Sequence, residues 1–272
     1  MKKMNKSSKY TEKDHTFVIC AYKESPFLEE CILSIKGQDV LGNIILATAT
    51  PNEHIRGLAQ KYDIELSINV NGGGIAKDWN YGIDVAKTKL VTLAHQDDIY
   101  MSDYLKEMLK QINDSKHPLV AFSDYGEKRD SQIVKKSKLL KVKQIMLSPL
   151  RSKYLQDSIW VRRRILSMGS AICCPAVTIV KENLELPIFK EGMKSNLDWE
   201  AWENISKEKG TFVYCNKILM LHRIHSESTT SQIIGDNSRI KEDYVMFCKF
   251  WPKWIAKIIL VFYKKAEESN DL

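Results

Sequence analysis

Apolar positions along the first half of the chain switch repeatedly between runs and a helical period. Thr16 to Ala21 reads as a buried strand. Ser25-Pro26 then opens a helix that carries Phe27, Leu28, Cys31, Ile32 and Ile35 on one stripe, and Gly37 ends it. Ile44 to Ala47 forms a second strand, and Asn52 to Tyr62 a short helix with Ile55, Leu58, Ala59 and Tyr62 inward. Ile64, Leu66, Ile68 and Val70 alternate as in a third strand. After the turn at Gly72-Gly73-Gly74 come a helix from Ile75 to Ala86, a fourth strand from Leu90 to Ala94, and a capped helix from Ser102 to Ile112 with Leu105, Met108, Leu109 and Ile112 aligned.

This alternation predicts an α/β fold of Rossmann-like type, with a mostly parallel central sheet flanked by helices and ligands beyond the carboxyl ends of its strands. Past Asp124 the periods blur. A basic stretch from Gln132 to Arg164 reads as helical, Ala171 to Val180 is an apolar run, and Phe212 to His225 is strand-like. There is no internal repeat, so the second half reads as an elaboration of the same sheet. A length of 272 residues suits one large domain with a tail.

Composition narrows the function. With 44% hydrophobic and 28% charged residues the chain has the balance of a globular protein. The six cysteines are scattered, without a Cys-x-x-Cys pair, and fit a reducing cytosol. Met1 to Asp14 is polar and Lys-rich, with no apolar core for a signal peptide. A cytoplasmic location follows as an expectation. The formal net charge of +7 admits nucleic acid, an anionic membrane or anionic substrates. Its densest stretches are Lys135 to Lys143 and Arg162-Arg163-Arg164. No recognition helix or aromatic platform accompanies them, so no nucleic-acid partner is expected.

Candidate chemistry gathers at strand ends. His95-Gln96-Asp97-Asp98 follows the fourth strand, where two carboxylates can hold a metal and a diphosphate; a capped turn with a solvated aspartate has the same sequence. Asn196-Leu197-Asp198-Trp199-Glu200 offers a carboxylate as general base, or simply an acidic first helical turn. In Leu221-His222-Arg223-Ile224-His225, alternate residues of an extended chain share a face, which puts Arg223 and His225 together. Ser226, Ser228 and Ser231 follow.

Joined in order, Phe17 to Glu24, Phe27 to Gln38, Gly74 to Gly82, Asp97-Asp98, Asp198 and Arg223 to His225 resemble glycosyltransferase family 2, the inverting enzymes of GT-A fold. The resemblance runs from about Phe17 to Thr230 and is loosest between Asp124 and Asn196. It implies a transferase that moves a sugar from a nucleotide-diphosphate sugar, UDP-linked by preference, to an acceptor hydroxyl, with Mn²⁺ or Mg²⁺ as cofactor. It implies Asp97 and His225 as metal ligands, Asp198 as catalytic base, and Tyr22, Glu24, Thr48, Lys77, His95, Asp98 and Arg223 as contacts to the nucleotide sugar. His95 replaces the first acid of the family's Asp-X-Asp signature, Thr48 stands in place of a base-reading aspartate, Trp79 replaces an arginine and Leu197 a glutamate. These departures prompt the alternative of a catalytically silent relative that keeps the fold as a binding or scaffold partner.

The resemblance divides the chain into a polar tail (1–14), a GT-A domain (15–235, nucleotide-binding to about 124 and acceptor-binding beyond it) and a helical tail (236–272). Trp251 to Lys265 interleaves aromatics, aliphatics and lysines over too short a run to span a bilayer, the composition of an interfacial helix or of a terminal helix packed on the core. An anionic membrane surface is therefore an expected partner. A saccharide or lipid-linked saccharide acceptor, at the inner face of the plasma membrane and in cell-envelope polysaccharide synthesis, follows from it.

Overall fold

The computed structural model describes residues 9–130, 132–225 and 238–268. Ser226, Ser228 and Ser231, and the first eight residues of the polar N-terminal tail, lie outside the described residues. The first half of the chain builds β1 (His15–Ala21), α1 (Leu28–Lys36), β2 (Asn43–Thr48), α2 (Glu53–Lys61), β3 (Glu65–Ile68), α3 (Ile75–Val85), β4 (Leu90–His95), β5 (Ile99–Tyr100) and α4 (Tyr104–Asn113). The second half adds β6 (Pro118–Arg129), β7 (Gln132–Val134), α5 (Lys138–Leu147), α6 (Ile159–Leu166), β8 (Val177–Val180), α7 (Leu197–Ile205), β9 (Thr211–Ile224), α8 (Ser238–Cys248) and α9 (Lys253–Glu268).

All the strands join one sheet in the order β3-β2-β1-β4-β8-β6-β9-β5, with β7 hairpinned onto β6. β1, β2, β3 and β4 are mutually parallel, β8 runs against both β4 and β6, and β6 and β9 are parallel again. The sheet is thus mixed but mostly parallel, and its second half continues the first without a break.

Alternation along β1 sorts the core into two layers. Phe17, Ile19 and Ala21 face α1, α2 and α4, where Leu28, Cys31, Ile32, Ile35, Ile55, Leu105, Met108 and Ile112 are buried. Val18 faces the other way, onto a larger cluster that gathers Ile83 of α3, Ile165 of α6, Trp199 and Trp202 of α7, Phe247 of α8 and Ala256 of α9. Local capping agrees with this layering: the Asn52, Ser137 and Ser158 side chains accept from the backbone N–H three residues on and start α2, α5 and α6.

Two expectations need correction. Val70 is not in β3, which ends at Ile68; it is 85% exposed in the turn that leads to the glycines. The stretch from Gln132 to Arg164 is not one helix but β7, α5, a 3-10 turn and α6. A count of basic residues cannot distinguish these separate elements from a continuous helix. The Arg162-Arg163-Arg164 stretch, by contrast, is engaged within the fold. Arg162 is buried and donates to the Glu208 carbonyl, Arg163 is paired with Glu203 at 2.7 Å, and Arg164 lies against Trp251.

Candidate active site

The carboxyl end of β4 turns sharply, with the Asp98 N–H donating to the His95 carbonyl, and β5 then pairs with the far end of β9. This short pairing carries His222, Arg223 and His225 over the Asp97-Asp98 turn. Asp98 is fully buried, and its Oδ1 accepts from the Arg223 backbone N–H at 3.0 Å and lies 2.9 Å from His222 Nδ1. Burial alone would lower the His222 pKa, but the Asp98 carboxylate outweighs it and raises the value. Asp97 Oδ2 lies 3.0 Å from His225 Nε2. Burial pushes the Asp97 pKa up, His95 and the bond to His225 pull it down, and the net direction is down.

Two buried atoms beside these pairs have no hydrogen-bond partner: Asp98 Oδ2 and His95 Nε2. His95, Asp97 and Asp98 place one ligand atom each within 4.8 Å of one another. Orphaned buried polar atoms are costly unless an exogenous group satisfies them, and carboxylates with imidazoles suit Mn²⁺ better than Mg²⁺. The residues present therefore fit a divalent cation. His95 itself is held flat against Trp79, with ring centroids 5.1 Å apart and planes 21° from parallel. The residue that departs from the family's arginine thus supports the residue that departs from its first acid.

Arg223 is more committed than the sequence suggests. Its side chain is buried 4.3 Å over the Phe27 ring, its Nε donates to the Asp97 carbonyl, and its Nη2 pairs with Glu30, which also accepts from Lys128. Much of its charge is already matched inside the protein.

At the carboxyl end of β1, Tyr22 is half exposed, and its backbone is bridged to the residue after β4 by both ends of the Gln96 amide. Glu24 is exposed beside it. Thr48 is buried at the end of β2, and its hydroxyl accepts from the Thr50 N–H, which fixes the turn. Lys77 is exposed in the first turn of α3, 3.6 Å from Glu191. Gly73 and Gly74, just before that helix, take φ values of +154° and +124°, where a side chain would be strained.

Asp198 opens α7, which is anchored by the buried Trp199 and Trp202; Trp199 Nε1 donates to the Leu166 carbonyl. Burial pushes the Asp198 pKa to about 6, against the Trp199 N–H and the Lys143 charge, which pull it down. Cys173, before β8, is buried within electrostatic reach of both Asp98 and Asp198. The sequence assigned no role to His222 or to Glu30. Only the β5-β9 pairing reveals their partners.

The description "Glycosyl transferase family 2" matches residues 16–169, more than half of the chain. The chain belongs to that family. Among curated proteins none matches. Solved structures similar to this glycosyltransferase include Staphylococcus aureus TarS 1-349 in complex with UDP-GlcNAc, 14% identical, which covers 90% of this chain and 70% of that one at a TM-score of 0.61. A second is the mannosyltransferase PcManGT of Pyrobaculum calidifontis in complex with GDP-Man and Mn²⁺, also 14% identical, at 91% and 69% coverage and a TM-score of 0.59. At that identity the likeness is one of fold, and the fold of this glycosyltransferase is GT-A.

Proposed function

We propose that the protein is an inverting, metal-assisted glycosyltransferase that takes a sugar from a nucleotide-diphosphate sugar, UDP-linked first, to an acceptor hydroxyl. The observation that carries the reading is the grouping of two carboxylate centres within electrostatic reach of the buried Cys173. On one side lie Asp97, Asp98 and three histidines at the carboxyl edge of the sheet, and on the other a carboxylate whose pKa is lifted to about 6. The complexes of the two similar structures, one with UDP-GlcNAc and one with GDP-Man and Mn²⁺, support the donor class.

In this mechanism Tyr22, Glu24 and Thr48 would border the nucleoside, and His95, Asp97 and Asp98, with His225 against Asp97, would hold the cation. A divalent cation there supplies positive charge against the departing diphosphate. Asp198 takes the proton of the acceptor hydroxyl as its oxygen bonds to the anomeric carbon and the bond from that carbon to the diphosphate oxygen breaks. A base with a pKa near 6 is ionised at neutral pH yet basic enough to accept a proton.

The deciding experiment is calorimetric titration with a panel of nucleoside diphosphates, with and without Mn²⁺, repeated on Asp97→Ala. Selective, metal-dependent binding that the substitution abolishes supports the reading and names the base. Folded protein that binds none of them favours the silent relative, a scaffold with the same fold. A product that keeps the donor's anomeric configuration would sink the inversion.

We further propose that the protein works peripherally on an anionic membrane, at the cytoplasmic face, with a lipid-linked saccharide acceptor in surface-polysaccharide synthesis. Among the described residues no helix is long and apolar enough to cross a membrane. Yet α9 carries two apolar stripes. Ala256, Ile259, Leu260 and Tyr263 pack on the core, while Trp254, Ile258, Val261 and Phe262 on the opposite side are each more than half exposed. Lys253 and Lys257 lie along one flank. Just before α9, Trp251 lies 4.6 Å from Arg164, which is 5.9 Å from the exposed Trp160. Aromatic and cationic side chains side by side suit a lipid interface.

A further inference from the structure

The face that α5 turns inward is built against its own amphipathic logic. Leu140, Lys143, Gln144 and Leu147 fall at helical spacing on one side and line a small cavity with Ser123, Asp124, Tyr125 and Ala171. Two of those four inward positions are polar, while the apolar Val142 and Ile145 of the same helix stand exposed. A helix that spends apolar residues on solvent and turns a lysine inward gives up burial energy, and such local contradictions concentrate at functional sites.

Lys143 Nζ donates to Tyr125 Oη at 2.7 Å. An ammonium has three N–H groups, and among the described residues Lys143 forms no ion pair with a carboxylate. The titratable groups that face it are Tyr125 of β6, Cys173 before β8 and Tyr263 of α9, and Asp124 of β6, on the lining of the same cavity, accepts from the Tyr214 hydroxyl. Its own charge reaches Asp198 on α7, His222 on β9 and Cys173 between them. The Tyr125 ring meets the His222 ring edge-on at 6.3 Å, so the amine sits one side chain behind the histidine that holds Asp98. A half-buried ammonium that donates to one neutral hydroxyl, with no ion pair to a carboxylate among the described residues, has N–H groups to offer an anion that arrives with a ligand.

We infer that Lys143 is a phosphate-binding residue between the His222–Asp98 and Asp198 parts of the site. The inference takes the identity of the site from the proposed transferase reading. Phosphate is the anion every nucleotide-sugar donor brings, and lysine serves it as a point charge. The same chemistry would meet a phosphate on the acceptor, so the two sources must be separated. Arg223, whose charge Glu30 already matches, leaves room for such a second cation.

Binding distinguishes them without turnover. In the donor arm, UDP and uridine are titrated into the wild type, Lys143→Met and Lys143→Arg. In the acceptor arm, glycerol 3-phosphate is titrated into the same proteins saturated with UDP, and into nucleotide-free protein. Tyr125→Phe serves as control, because it removes the partner of Lys143 while leaving the charge, and near-ultraviolet circular dichroism confirms that each variant is folded. The expected result is a loss of about tenfold or more in affinity for the phosphate ligand of one arm in Lys143→Met, with uridine unchanged, affinity largely restored in Lys143→Arg and retained in Tyr125→Phe. The arm that responds identifies the source. Equal affinity of wild type and Lys143→Met in both arms overturns the inference, as does the absence of phosphate binding by the wild type in either. Glycerol 3-phosphate binding that depends on Lys143 in a protein that ignores nucleotides would instead overturn the transferase reading and leave this one standing.

Discussion

At the level of single residues, Asp198 sets chemistry against stability. Its pKa of about 6 means that the folded protein holds this proton more tightly than the unfolded chain, whose aspartate titrates near 3.9. As pH rises between those values the unfolded chain loses its proton first, so the group's contribution falls through that window and stays low above it. The ionised carboxylate then costs the folded state on the order of 2–3 kcal/mol. Activity runs the other way, because only the ionised form accepts a proton. Turnover should climb through pH 6 and level off above it. Asp198→Asn keeps an acceptor for the Trp199 N–H while removing the charge. It should lose roughly 10²- to 10⁴-fold in kcat with donor binding little changed, yet melt roughly 5 °C higher at pH 7.5. Calorimetric melts and a pH–rate profile on the two proteins check both halves; a lower melting temperature for the variant would contradict the burial cost.

Elements hold the site through contacts that no periodicity reveals. The Glu242 carboxylate of α8 accepts from the backbone N–H groups of Lys194, Ser195 and Asn196 and from the Ser195 hydroxyl, at 2.6 to 3.1 Å, and so satisfies donors just ahead of α7. Burial raises its pKa, but Ser195 and the three N–H groups lower it overall. Its contribution is therefore present above the ordinary glutamate range and lost as pH falls through the depressed value. Glu242→Ala should cost about 1–3 kcal/mol in urea unfolding and loosen the turn that presents Asp198, lowering kcat more than donor affinity. Close packing under α3 gives a second test. A Cβ on Gly82 would meet Val18 Cγ1 at 2.9 Å, so Gly82→Val should destabilise by about 1–3 kcal/mol and tilt the helix that carries Trp79 against His95. An unchanged urea midpoint would show that α3 can move off the sheet freely.

These same elements show what was legible in the chain. β1 to α4 could be read because each strand is a short apolar run and each helix keeps one stripe, down to Leu105, Met108, Leu109 and Ile112. β6 could not: ten of its twelve residues are buried, so Pro118 to Gly126 shows no alternation, and its bulges near Ser123 and Asp124 break the register with β9. The two-residue β5 is below any period. The candidate residues were visible as types at strand ends. Their pairings, His222 with Asp98 and Arg223 with Glu30, depend on contacts between positions more than a hundred residues apart. Lys143 was visible only as one lysine of a basic run, because its inward direction is a property of the packed helix.

For the whole molecule, the question is what covers the outer stripe of α9. The helix cannot simply be removed to find out, because Ala256 is fully buried and Tyr263 packs edge-on against Phe247 at 5.4 Å, so truncation would open the core as well as the surface. Substitutions confined to the exposed side avoid this. Trp254→Glu with Phe262→Glu should leave the urea midpoint within about 0.5 kcal/mol of wild type, as surface changes usually do. They should also abolish co-sedimentation with vesicles that contain anionic lipid. Replacing Lys253 and Lys257 with Gln should weaken the same binding by about 1 kcal/mol for each charge and flatten its dependence on salt, since the electrostatic part is screened within a Debye length while the apolar part is not. If both sets of variants sediment with vesicles as the wild type does, α9 closes the core and nothing more, and the acceptor need not be sought among lipids. If both lose binding while nucleotide affinity is kept, the protein meets its membrane through a face of α9 distinct from the one that completes its fold. The second half of the chain would then serve the sheet and the surface at once.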